Sequence, residues 1–333
     1  MKLRILSACA VAACACALAW GAAAQEAKQA EPKVSGGERS AADKINKAQG
    51  AEAKIQAAAE FLKKYPQSPL RPQVADAIAS EVSATTDPQL KASLAETYLS
   101  LFNAPGEAER VGFHLMDAYI MGERAEDAFR AGAAWLQKNP DDVETQRRLT
   151  TTALNASIRG NNAFLAQGQQ YGAKALELIE ADKRPAGVED AQWAKAKSEW
   201  VPELHREVGI IAFRAGDRAA ARRHLARAVE LKHPDPAVYL ILGEMANEEY
   251  NNLAKQYQVT PAGAEKTAML PKVEASLDQV IEAFARIVAV TAGNAQYQTA
   301  HDQIRQDLES YYKFRHNGST DGLQQLIDKH KRQ

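Results

Sequence analysis

Cysteine is nearly absent: Cys9, Cys14 and Cys16 are the only three in 333 residues. They fall in a stretch that opens on Lys2 and Arg4, runs apolar from Ile5 to Trp20 and ends in Ala22-Ala23-Ala24 before Gln25. A basic start, an apolar middle and a small-residue end read as an export signal over 1–24, cut between Ala24 and Gln25. The apolar run is short for a membrane span, and polar sequence follows it. With the signal removed, no cysteine and no integral membrane span is expected, which excludes disulfides and thiolate catalysis. Leu6-Ser7-Ala8-Cys9 and Val11-Ala12-Ala13-Cys14 have lipobox form. Both lie early, with further apolar residues after each, so ordinary cleavage is the first reading and lipidation the alternative.

Other absences narrow the chemistry. The seven histidines are scattered, with no His-Glu-x-x-His or comparable metal-ligand spacing. No phosphate loop, dinucleotide fingerprint or nucleophile elbow occurs. Carboxylate pairs such as Asp141-Asp142 and Glu248-Glu249 sit at helix caps or on solvated faces. No cofactor, metal or catalytic residue is therefore assigned, and a non-catalytic role is expected. Charge of one sign is also missing, with 41 basic residues against 42 acidic. Without a concentrated basic face, no nucleic-acid partner is expected. Long β-branched runs are few and alanine is abundant, so the chain should be helical throughout.

What is present is a period. Gly209 in "HREVGIIAF" and Gly243 in "VYLILGEMA" stand 34 residues apart in matching contexts. Between them come Gly216-Asp217, then Ala221, Leu225 and Ala228, then a helix stop at His233-Pro234-Asp235. Glycine on one helix lets its neighbour approach, small residues on the partner let the two nest, and Leu225 fills the shared core. The order resembles the tetratricopeptide repeat (TPR) signature. Arg110–Asp142 is a second partial copy, with Leu115 and Tyr119 on its first helix, Ala128 and Trp135 on its second, and Met116 where glycine is usual. "DKRPAGV" and "YYKFRHNGSTDGLQ" resemble wording in a group of uncharacterised exported bacterial TPR proteins, a likeness that carries no activity.

The resemblance implies an all-α fold, a right-handed superhelical solenoid of antiparallel helix pairs over 43–333. Its clearest repeats are 109–142, 202–235 and 236–291. Residues 25–42, rich in Glu, Lys, Ser and Gly, read as a flexible linker. Helices are expected at Arg71–Ala84, Pro88–Leu101, Val143–Asn155, Asn162–Ile179, Leu277–Val290, Gln296–Phe314 and Asp321–Lys331. The helix after Gly243 is expected to run to about Tyr257 and 259–275 to form a loop, an insertion near 251–275 relative to the period. Trp193 and Trp200 share one helical face and should pack against the preceding unit rather than bind a ligand.

In TPR proteins the first helices of successive repeats line a concave groove for peptides or partner helices. Carried over by position, the resemblance places Arg147, Thr151 and Asn155 there, then Arg206, Ile210, Phe213 and Arg214, then Glu244, Asn247 and Glu248. Ile210 and Glu244 stand where a carboxylate clamp would need asparagine, so capture of a peptide C-terminus is not implied. The expected function is a protein–protein interaction scaffold, periplasmic or secreted, with a protein or peptide partner. A lipid-anchored envelope assembly factor is the alternative. An all-helical envelope enzyme is the third reading, and a pair of carboxylates or histidines converging in a cleft would favour it.

Overall fold

The computed structural model describes residues 33–185 and 187–331. The expected export signal over 1–24, its expected Ala24/Gln25 cleavage point and residues 25–32 lie outside them. The described chain is all helix, without strands. In order the helices are α1 (Gly36–Lys47), α2 (Ala51–Lys64), α3 (Arg71–Ala84), α4 (Pro88–Leu101), α5 (Glu109–Met121), α6 (Ala125–Lys138) and α7 (Val143–Ile158). They continue as α8 (Leu165–Glu180), α9 (Asp190–Arg214), α10 (Arg218–Glu230), α11 (Pro236–Val259), α12 (Ala264–Thr291), α13 (Gln298–Arg315) and α14 (Leu323–Lys331).

From α1 to α13 each helix packs on its chain neighbours, α14 packs on α12, and α7 also meets α9, as α9 meets α11. Contacts thus stay within a repeat or reach the next one, the rule for a solenoid. The apolar interior is correspondingly divided. One cluster spans Ile45 to Ala128, a second joins Met116 to Val238, and a third joins Leu277 to Ile327. The chain is an all-α, TPR-like solenoid.

The packing glycines sit where the period puts them. A Cβ on Gly209 would lie 2.7 Å from Leu225 Cγ and 3.1 Å from the Leu225 backbone nitrogen. On Gly243 it would lie 2.4 Å from Ile287 Cδ1. The unit on α5 and α6 carries Met116 where glycine is usual. Met116 is fully buried, and the glycine has moved to the partner helix: a Cβ on Gly132 would come within 3.1 Å of Met116 Sδ. The same Cβ would lie 2.8 Å from Leu149 Cδ1 of α7, and one on Gly112 of α5 would lie 2.9 Å from the Trp135 ring of α6.

Two expectations need correction. The linker over 25–42 does not extend through its described part, because α1 begins at Gly36. Ser35 Oγ accepts from the Glu38 amide at 3.2 Å, and Glu38 Oε2 accepts from the Ser35 amide at 2.7 Å. This capping box, with Ile45 buried below it, outweighs the two glycines of the first turn. The 259–275 stretch is not a loop either. α11 runs 24 residues and α12 runs 28, joined by a turn at 260–263. Pro271 lies inside α12 at an exposed position, so the helix continues past it despite the lost hydrogen bond. The two helices form an antiparallel arm. Its inner side carries half-buried Leu253, Tyr257, Met269 and Val273, with Lys266 Nζ 4.9 Å from the Tyr257 ring centre.

Candidate functional site

The ten residues expected in one groove lie on α7, α9 and α11, which do adjoin. Their side chains nevertheless divide into separate settings. On α7 and α9, Arg147 pairs with Glu144 at 2.9 Å and lies over the Trp200 ring at 4.9 Å. Trp200 meets Trp193 edge to face, and buried Trp193 donates from Nε1 to Asp182 at 2.8 Å. The tryptophans are thus structural, pinning the start of α9 to the preceding unit. Arg206 donates to Asp235 at 2.5 Å and to Glu203 at 2.8 Å. His233 Nε2 lies 2.7 Å from Glu203, and Tyr297 donates to Asp235 at 3.3 Å. This polar ladder fastens α9 to the start of α11.

Ile210 is 9% exposed and shares a core with Leu149, Leu225 and Val238, so no partner segment can rest on it. Arg214 donates to Ser157 Oγ at 2.5 Å and to the Ser157 carbonyl at 2.8 Å, an α9-to-α7 tie. The placement of Ile210 as a groove-lining contact is therefore corrected, whereas Arg206 is half-buried and Arg214 exposed, both tied to a neighbouring repeat. The period locates them on the first helix, but between adjoining repeats that side of α9 is used to join them. Thr151 faces the same junction, toward Glu207. Asn155 and Glu244 are exposed.

Phe213 and Glu248 meet elsewhere. Arg218 lies over the Phe213 ring at 4.2 Å and pairs with Glu248 at 3.4 Å. Arg222 pairs with Glu249 one turn along, at 2.8 Å. Arg218, Arg222, Glu248 and Glu249, with Met245 and Leu253, line a cleft of about 400 Å3 between α10 and the root of the arm. Asn247 is on the other flank of α11, where it accepts from Tyr311 at 2.9 Å.

Three groups were not singled out in the sequence. Glu207 is 3% exposed, and its Oε2 has no hydrogen-bond partner. Burial pushes its carboxyl up to about 7; Thr151, Arg206 and Arg147 oppose the rise and Glu203 adds to it. Its signal was available: Leu204, Val208 and Ile211 form the buried stripe of α9, and Glu207 falls within it. His205 and His224 face one another across α9 and α10, and no spacing rule predicts a pair set by the register of two helices. Among the described residues no three His, Cys, Asp or Glu side chains converge as metal ligands, and no helix is long and apolar enough to cross a membrane.

No family model and no curated protein matches this chain. Among solved structures it is similar to a MamA RS-1 ArsTM double mutant, at 14% identity and a TM-score of 0.36, covering 59% of this chain and 92% of that one. It is also similar to a tetratricopeptide repeat protein from Parabacteroides merdae, at 10% identity and a TM-score of 0.36, covering 87% and 95%. Agreement at that level adds no weight, and the TPR-like assignment of the fold rests on this chain's own helix pairing and packing glycines.

Proposed function

We propose that the protein is an exported scaffold that works by holding a protein partner rather than by catalysis. The observation that carries this reading is the α11–α12 arm. Between Met245 and Ser276 no residue is buried, yet the chain there is helical except at the turn. Helices draw most of their stability from tertiary packing of an apolar face. Here that face is left half open, and the tip exposes Val259 at 81% and Leu270 at 41%. Lys255, Lys266 and Lys272 stand along the arm against Glu265 and Glu274.

The cleft at the arm's root adds Met245 and Leu253 as a floor between two arginine–glutamate pairs. A partner segment with apolar side chains would lie along α10 and α11, touching Glu248 of the ten residues first assigned to binding. Export rests on the signal-like residues 1–24 and the small-residue site at Ala24.

The test is cross-linking in the cell envelope, followed by mass spectrometry. Links should concentrate on Lys255, Lys266 and Lys272, and the exported chain should begin at Gln25. A variant with 251–275 replaced by a tight turn should keep its helical circular dichroism and lose the linked partner. Recovery of the same partner at the same yield by that variant would refute the arm as the binding element.

A further inference from the structure

A second cleft, of about 580 Å3, opens between α8, α9 and α10. His205 and His224 line it, together with Glu177, Glu180, Glu230 and Arg227. The two Nδ1 atoms face one another at 3.0 Å, from residues 19 apart in the chain, with ring planes inclined by 35°. Both rings are half-buried. Burial keeps each below the ordinary imidazole range. His205 lies at about 4, with His224 and Arg227 adding to the effect and Glu230 opposing it. His224 is lowered by burial and by Arg223 against Asp217. A neutral imidazole ring can direct a lone pair from Nδ1. Two such atoms at this distance either share one proton or grip one ion.

We propose that His205 and His224 form a chelating pair for a divalent transition metal, copper(II) or nickel(II) in preference to zinc. The bite distance carries the choice of metal. With metal–nitrogen bonds of about 2.0–2.1 Å, a separation of 3.0 Å subtends about 95° at the ion. That is a cis pair of a square-planar or octahedral complex. A tetrahedral site would need the nitrogens about 3.4 Å apart. Tetragonal nitrogen and oxygen sets suit copper(II) and nickel(II), and copper(II) stands highest in the affinity order.

The remaining positions fall to water and the carboxylates of the cleft. Glu177 is engaged with Lys174 and Glu230 with Arg227, whereas Glu180 has no ion-pair partner among the described residues. Because no third ligand already converges, the imidazole pair is the anchor and Glu180 the side chain free to turn toward it. The ion would tie α9 to α10, the two helices of the repeat around Gly209. It would bind the folded chain alone and raise its unfolding temperature.

The experiment is a titration of the full chain with copper(II), nickel(II) and zinc(II) near neutral pH against a weak competing chelator. Cys9, Cys14 and Cys16 are alkylated beforehand to remove thiolate binding. One copper(II) per chain is expected, held more tightly than zinc(II). Its paramagnetic resonance spectrum should show two imidazole nitrogens, and the unfolding midpoint should rise. His205→Gln and His224→Gln should each weaken copper(II) by at least about tenfold, since loss of even an outer partner of a ligand costs that much. His316→Gln should not. The spectrum of the unaltered protein needs no variant to fold, so it decides even if the substitutions unfold the chain. No bound copper(II), a spectrum without the two nitrogens, or unchanged affinity in both His205→Gln and His224→Gln would overturn the site.

Discussion

The repeats built on Gly209 and Gly243 begin alike and end differently. In both, a glycine of the first helix meets bulk from the second: Leu225 in one, Ile287 and Phe284 in the other. The Gly209 repeat then closes after 13 residues of α10, whereas the Gly243 repeat lengthens both helices into an arm. Interiors differ as well. Glu207, buried on α9, stands 34 residues before Ile241, its apolar counterpart on α11. A packing glycine thus sets how closely two helices cross. It does not set how far they run, or what the rest of the buried face contains.

The comparison can be broken most forcefully at Gly209. Gly209→Leu should destabilise the protein by about 3 kcal/mol, the upper end of the usual overpacking cost, because backbone as well as side-chain atoms of Leu225 lie within reach. Denaturant midpoints with an unchanged slope would measure it. A midpoint equal to that of the unaltered protein would mean that the crossing is not close there.

An effect of similar size concerns the buried carboxyl. Glu207 has its folded value raised from the ordinary 4.5 to about 7. Below pH 4.5 the group is protonated in both states and costs nothing by linkage. Stability is then lost as pH rises, and the loss is complete above about 7. Glu207→Gln removes that dependence. It should gain about 3 kcal/mol on the unaltered protein between pH 4.5 and pH 8, an order-of-magnitude figure from the size of the shift. Parallel stability curves for the two proteins across this range would show that Glu207 titrates normally.

Alanine separates the two crossings more finely. Gly209→Ala meets Leu225 Cγ and its backbone nitrogen, which cannot turn aside, and should cost about 1 kcal/mol even after the better helix propensity of alanine. Gly243→Ala meets the Cδ1 end of Ile287, which can rotate, and should fall within about 0.5 kcal/mol of neutral. Equal costs would show that backbone contact is not what distinguishes the sites. Smallest of all should be shortening the arm. With nothing buried between Met245 and Ser276, its loss should shift the unfolding midpoint by no more than about 0.5 kcal/mol, the range of surface changes.

Much of the fold was legible. α3 and α4 run over Arg71–Ala84 and Pro88–Leu101 as proline, N-cap and apolar spacing require. The first helices of the central repeats were placed correctly on the 34-residue period. α1 was readable too, through its Ser35–Glu38 capping box, but the adjacent glycines hid it. The arm was missed for a different reason. Pro261, Gly263 and Pro271 punctuate the sequence as a loop would, and only the pairing of α11 with α12 carries helix through the last of them.

The candidate sites were less legible than the fold. Periodicity assigns a residue to a side of its own helix, and on that ground Arg206, Ile210 and Arg214 were expected to face a groove. Whether that side meets solvent or the next repeat depends on the stacking of α7, α9 and α11. Asp235 and Ser157, the partners of Arg206 and Arg214, come from residues 29 and 57 away. The His205–His224 pair depends in the same way on the relative rotation of α9 and α10.

By itself, then, the sequence determined the helical class, the repeat length and the points of close crossing, because each follows from residue size and spacing along one helix. Tertiary structure alone decided which polar faces became junctions, which histidines met and that the insertion stands out as an arm. Those outcomes depend on the offset and rotation of one helix against another, and residues far apart in the chain set these jointly.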